Sequence, residues 1–218
     1  MKTFAIVPVK RFDSAKSRLG MLLNKHERAQ LSKVLVQRTI RVLKGTSSVK
    51  KIVLVSSDVN VEKIAHLYGV TFLKEKIQCG VNSAVDRGTK FCTDSGAEAT
   101  LVLPADLPLV VPEDIDIVCK AALTVRNCMV LCPSYKFDGS NMMLRKPCDI
   151  IKTSYDSRSY LTHVHEGVRN NIKARVLFIR RAMIDMDTIQ DITNLLALGE
   201  MDEQIAECLR TSLARREL

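Results

Sequence analysis

Four short, largely apolar runs punctuate this chain: Phe4-Ala5-Ile6-Val7, Ile52-Val53-Leu54-Val55, Thr100-Leu101-Val102-Leu103 and Cys128-Met129-Val130-Leu131-Cys132. A strand apolar along nearly its whole length has no face to give to water, so each must be covered from both sides. The segments between them read as helices. Asn24, with Glu27 three positions on, marks a helix start, and Leu31, Val34, Leu35, Ile40 and Leu43 then recur near helical spacing up to Gly45. Asp58 can cap a short helix closed by Gly69, and Val70–Leu73 adds a further strand. A helix is expected over about 81–93, and Pro112-Glu113-Asp114 opens another. Residues 175–179 resemble a late strand, Asp187-Thr188 precede a final helical region, and 200–218 read as a helix. This alternation predicts an α/β fold, with a mostly parallel sheet covered by helices on both faces. The stretch 134–170 reads as a less regular excursion. No linker or repeat divides the 218 residues, so a single domain over 1–218 is expected.

Composition narrows the classes. Hydrophobic residues make up 46% and charged residues 26%, and no apolar run approaches the roughly 20 residues that span a bilayer. Met1-Lys2 leads straight into a strand-like segment without a secretory core, so a cytoplasmic location and no membrane partner are expected. The seven cysteines are scattered with no CxxC pair, which suits reduced thiols packed as small hydrophobes. His163 and His165 lack Cys or acid partners at ligand spacing, so no zinc site is expected. The net charge of +9 calls for an anionic partner. With aromatic residues at 5%, no Trp and no nucleic-acid motif, DNA or RNA is the poorer candidate and a phosphorylated small molecule the better one.

Pro8 stops the first run, and the loop beyond it carries Lys10, Arg11, Lys16 and Arg18 against one acid, Asp13. Ligands of open parallel sheets settle past the carboxyl ends of the strands, so this loop suits nucleotide phosphates; a solvated basic loop is the alternative. Asp106 follows the apolar run at 100–103 and lies between Pro104 and Pro108. A carboxylate there can hold Mg²⁺, which takes oxygen ligands, or can simply form the turn. Asp187 and Thr188 read first as a helix cap, although Asp187 could join Asp106 on Mg²⁺ if the two meet. Gly80-Val81-Asn82 fits a turn with a cap, or recognition of a base or ribose, since glycine permits close approach and Asn both donates and accepts. Asp138-Gly139-Ser140-Asn141 reads as an ordinary turn.

Taken in order, PVKRFDSAKSRL (8–19), SSD (56–58), QCGVNSAV (78–85), LPADLPLV (103–110), DGSNMMLRKP (138–147), YDSRSYLTHV (155–164) and DMDTIQDI (185–192) resemble the 2-phospho-L-lactate guanylyltransferases of archaeal coenzyme F-420 biosynthesis. The resemblance covers about residues 4–195 and implies a Rossmann-like nucleotidyltransferase fold of the nucleotide-diphospho-sugar transferase type. It implies transfer of GMP from GTP to (2S)-2-phospholactate, giving lactyl-2-diphospho-5′-guanosine and pyrophosphate, with Mg²⁺ as cofactor. By position, Lys10, Lys16 and Arg18 would hold the triphosphate, with Pro8 and Asp58 beside the nucleotide and Gly80 and Asn82 on the guanosine. Asp106 and Asp187 would hold Mg²⁺, and Lys16, Arg18 and Asp106 would carry catalysis. Asp138, Ser140, Asn141, Asp156 and Ser159 would line the acceptor pocket. Asp156 is a departure, because relatives usually carry Gly after the tyrosine; with an acid beside an anionic acceptor, either Asp156 points away or acceptor choice differs, and Arg158 could offset it.

The implied chemistry needs no general base. A phosphate monoester, with its second pKa near 6, is already largely dianionic at neutral pH. Rival readings are a nucleotidyltransferase acting on phosphoenolpyruvate or a sugar phosphate, and a non-catalytic nucleotide- or nucleic-acid-binding protein. A homodimer is expected, since relatives associate and 134–170 could supply a contact surface. The product is expected to pass to a downstream transferase.

Overall fold

The computed structural model describes residues 1–156 and 158–214, with side chains through residue 212; Ser157 and the end of the expected C-terminal helix, 215–218, lie outside it. Seven strands form one sheet: β1 (Thr3–Pro8), β2 (Val49–Ser56), β3 (Thr71–Lys74), β4 (Ala99–Val102), β5 (Cys128–Pro133), β6 (Ser140–Lys146) and β7 (Lys173–Val176). Their spatial order is β3-β2-β1-β4-β6-β5-β7. All neighbours run parallel except β6, which is antiparallel to both β4 and β5.

Side chains on a strand alternate between faces, and here both faces are dry. Ala5, Val7, Leu54, Leu101 and Val130 join a core with α1 (Lys25–Gly45), α2 (Val59–Tyr68) and α4 (Pro112–Ala121). Phe4, Ile6, Val53 and Val102 face the other way, against α3 (Val81–Asp94). Met129, Leu131 and Met143 continue that face toward α5 (Ser159–Arg169). The approach of α3 is close enough that a Cβ on Gly88 would stand 2.6 Å from Ile6 Cγ2, so any other residue there must shift the Ile6 side chain or α3.

The caps read from sequence form. Asn24 Oδ1 accepts from Glu27 N while Glu27 returns a bond to Asn24 N, and Asp58 caps α2. Thr188 and Asp191 make the reciprocal box at α7 (Ile189–Leu198). α8 (Glu203–Ala214) packs Ile205 and Leu209 in a separate small core with Leu31, Leu35 and Leu195, so the C-terminal segment covers α1.

The stretch 134–170 departs from the expected irregular excursion: it supplies the interior strand β6 and the helix α5. Its polar residues hid the strand. Ser140, Asn141 and Arg145 are buried, and Arg145 donates through Nη2 to Thr89 Oγ1 at 2.6 Å and through Nη1 to Ile151 O at 3.1 Å, while its Nε has no partner. The late strand lies at 173–176 rather than 175–179. Its ladder with β5 ends at Val176, after which the chain turns into the short α6 (Arg180–Met183), leaving Phe178 exposed. Among the described residues no helix is long and apolar enough to cross a membrane.

Candidate active site

The carboxyl ends of β1 and β4 lie side by side, and the loops leaving them build the site. Phe12 and Ala15 are buried, which pins the basic loop to the body of the protein. Two longer reaches fix its path: Phe12 N donates to Asp58 Oδ2 at 2.7 Å, and Arg11 N donates to Gln78 Oε1 at 3.0 Å. Lys16 then adopts a left-handed backbone, φ 55°, a conformation costly for a non-glycine residue and typical of functional loops. Its ammonium points inward and bridges two carboxylates, Asp106 Oδ2 at 3.2 Å and Asp187 Oδ1 at 2.7 Å.

Backbone bonding holds those carboxylates together. Leu103 N donates to Ile6 O, carrying the 103–108 turn over β1, and Met186 N donates to Asp106 O at 3.0 Å. Asp187 N donates to Asp191 Oδ2, so the helix cap and the carboxylate share one turn. Cap and site are not alternatives here.

Electrostatics follow from this geometry. Burial disfavours the Lys16 ammonium, but Asp106 and Asp187 more than compensate and hold its pKa above the usual lysine value. Burial likewise works against ionised Asp187, yet Lys16, followed by Arg18 and Lys10, keeps its carboxyl below the usual range. Asp185 goes the other way. Burial first, then the neighbouring Asp106, Asp187 and Asp191, push it up to about 6. Asp185 is therefore a third carboxylate in the same field, and the sequence alone assigned it no role. The available signal was the Asp-Met-Asp spacing, which in extended chain puts both acids on one side.

Among the described residues no three His, Cys, Asp or Glu side chains form a ready metal cage. The donor set still fits a hard divalent cation: Asp106 and Asp187 converge on one positive centre, Asp185 adds unneutralised negative charge, and oxygen is the donor Mg²⁺ takes. Beside this centre, Arg18, Asp138, Asp185 and Asp187 share a cleft of about 400 Å³. Lys10 is exposed near the strand end at Pro8 and lines a smaller pocket with Lys16, Asp106 and Asp187.

Other residues singled out from sequence have structural partners. Asp58 is buried, with its oxygens taken by Phe12 N and Asn60 N, so it shapes the loop. Gly80 precedes α3 with φ 91°, as glycine allows. Asn82 is engaged on both ends: Oδ1 accepts from Tyr155 N at 2.6 Å and Nδ2 donates to Asp156 Oδ2 at 3.1 Å. Asp138 accepts from Ser134 Oγ at 2.6 Å. Ser140 and Ser159 are buried and joined by a bond from Ser140 N to Ser159 Oγ, and the buried Asn141 Nδ2 has no partner. The site residues therefore fall mainly into two groups, one around Lys16 and one around residues 154–156 and Ser159.

Comparison with known proteins agrees with this architecture. Residues 3–213 match the family model described as "Guanylyl transferase CofC like". The chain is 33% identical over 199 residues to the phosphoenolpyruvate guanylyltransferase of Rubrobacter xylanophilus, covering 91% of this chain and 96% of that one. It is 26% identical over 200 residues to the 2-phospho-L-lactate guanylyltransferase of Methanobrevibacter smithii, covering 92% and 86%. Among solved structures, a nucleotidyl transferase from Methanothermobacter thermautotrophicus superposes with a TM-score of 0.67 at 12% identity over 96% of this chain and 99% of that one. That likeness establishes a Rossmann-like nucleotidyltransferase fold. With the family model spanning nearly its whole length, the chain belongs to the CofC-like guanylyltransferases.

Proposed function

We propose that the protein transfers GMP from GTP to the phosphate of a small phosphorylated three-carbon acid, with phosphoenolpyruvate and (2S)-2-phospholactate as the leading acceptors. One acceptor phosphate oxygen attacks the α-phosphorus of GTP, a new P–O–P bond forms, the α–β bridging bond breaks, and pyrophosphate leaves. The observation that carries this reading is the Lys16 ammonium set between Asp106 and Asp187 at the carboxyl edge of the sheet. Enzymes named for three acceptors are among the relatives: phosphoenolpyruvate, 2-phospho-L-lactate and, at 24% identity, 3-phospho-D-glycerate. The higher identity to the phosphoenolpyruvate enzyme supports including that acceptor beside phospholactate.

In this reading Asp106 and Asp187, with Asp185 beside them, hold Mg²⁺, which when bound neutralises phosphate charge and polarises the reacting phosphoryl oxygens. Lys16, Arg18 and Lys10 orient the triphosphate and draw off charge as pyrophosphate departs. Like unit charges about 4 Å apart repel by roughly 4 kcal/mol at an effective dielectric of 20, so these cations lower a barrier made largely of anion–anion repulsion. The acceptor arrives as a dianion and needs no deprotonation.

The test is pyrophosphate release across GTP, ATP, CTP and UTP with phosphoenolpyruvate, 2-phospholactate and 3-phosphoglycerate. Release with GTP and one of the first two acids is expected. Release with every triphosphate alike, or with none in the presence of Mg²⁺, overturns the proposal.

A further inference from the structure

His163 has no role in the chemistry above, yet it is fully buried and holds two segments of the site together. Ser154 N donates to its Nε2 at 2.9 Å, so that nitrogen presents a lone pair. The neutral ring then carries its proton on Nδ1, which donates to Ser140 Oγ at 2.9 Å. Ser140 starts β6, and its own amide is tied to Ser159 at the start of α5. The 154–156 segment is fixed at its other end by Asn82, which takes Tyr155 N and gives to Asp156. Tyr155 packs edge-on against the imidazole, with ring centroids 5.1 Å apart.

We propose that His163 is a positioning residue for the acceptor: its ring locks Ser140 to the 154–156 segment and so sets the wall against which the phosphorylated acid lies. This rests on the proposed function and on the family resemblance, which implies that Ser140, Asp156 and Ser159 belong to the acceptor pocket. His163 is fully buried with both ring nitrogens engaged, so it acts through Ser140 and the 154–156 segment rather than on the substrate. Arg145 and Tyr155 are the ionisable groups that act on it or pack against it; burial first, then Arg145, pushes its pKa down to about 4, so the ring stays neutral in ordinary buffers.

The experiment compares wild type with His163→Phe, which keeps ring volume but loses both bonds, and His163→Gln, whose amide oxygen can still accept from Ser154 N. Acceptor KM should rise about tenfold in the Phe variant, the size expected for losing a buried hydrogen-bonded link, and less in the Gln variant; GTP KM should stay within about twofold. Titration of phosphoenolpyruvate or phospholactate alone should show the same order of weakening. Nitrogen-15 NMR of the wild-type histidines should show His163 as the neutral Nδ1-protonated tautomer. That measurement decides the bridge even if the Phe variant fails to fold. An acceptor KM unchanged in both variants, equal loss for GTP and acceptor, or an Nε2-protonated ring overturns the proposal. If wild type binds the acid yet releases no pyrophosphate with GTP, the functional reading fails while the His163 assignment is judged by binding and NMR; if it binds neither acid, both fall.

Discussion

Replacing Lys16 by Met keeps the length of the side chain and removes its charge. The Lys16 side chain is 9% exposed, and its partners Asp106 and Asp187 are 31% and 41% exposed. At 3.2 and 2.7 Å and an effective dielectric of 20, the two gross attractions are about 5 and 6 kcal/mol. Desolvating the ammonium cancels several kcal/mol of this, and the half-exposed carboxylates regain water when the lysine is gone. A net loss of about 2 kcal/mol in metal-free protein follows, or roughly 4–8 °C in Tm for a chain of this length.

The pH window follows from the directions of the shifts. Asp187, depressed in the folded state, contributes stability above its unfolded pKa of about 4 that is lost as pH falls through the lower folded value. Lys16, raised in the folded state, contributes below about 10.4 and loses that contribution as pH rises through its higher folded value. The bridge is therefore fully present at neutral pH. Urea unfolding in EDTA and in Mg²⁺ reads the effect: Lys16→Met should be less stable in EDTA, and Mg²⁺ should stabilise it more than wild type, because the ammonium no longer occupies the space between the carboxylates. Equal stability in EDTA, or equal stabilisation of both proteins by Mg²⁺, would falsify this account.

Asp106→Asn should leave the circular dichroism spectrum unchanged and lower pyrophosphate release at least about a hundredfold, since one oxygen of the proposed cation site loses its charge; normal turnover would remove Asp106 from the site. Asp185→Asn should stabilise metal-free protein at pH 7–8 by about 1 kcal/mol. An acid raised to about 6 opposes folding once ionised, so wild-type stability should fall between about pH 4 and 6 relative to the variant, and parallel pH curves would refute this. Gly88→Ala should cost about 1–3 kcal/mol by chemical denaturation, because the new methyl meets Ile6 at 2.6 Å; a neutral result would mean that α3 lifts freely from the sheet.

Much of the fold was legible because its signals are local. Apolar runs such as Ile52–Val55 can only be covered strands, and Asn24 with Glu27 or Thr188 with Asp191 can satisfy helix-end amides within a single turn. The basic loop and Asp106 could be placed at the strand ends on the same grounds. The interior strand β6 could not, because Ser140 and Arg145 look exposed until Thr89, Ile151, Ser159 and His163 arrive from other segments to bond them, and Asn141 is buried between them. Nor could the double engagement of Asn82, which depends on where 155–156 crosses the start of α3.

The same division holds at the site. Residue types and spacing by themselves determined an α/β sheet with cations and acids at its carboxyl edge. Only the tertiary structure decided that Lys16 sits between Asp106 and an aspartate 171 positions away, and that Asp185 shares their field. Local preferences depend on neighbours a few residues apart, whereas the meeting of distant charges depends on strand order and on single backbone bonds such as Met186 N to Asp106 O, which no short window of sequence contains.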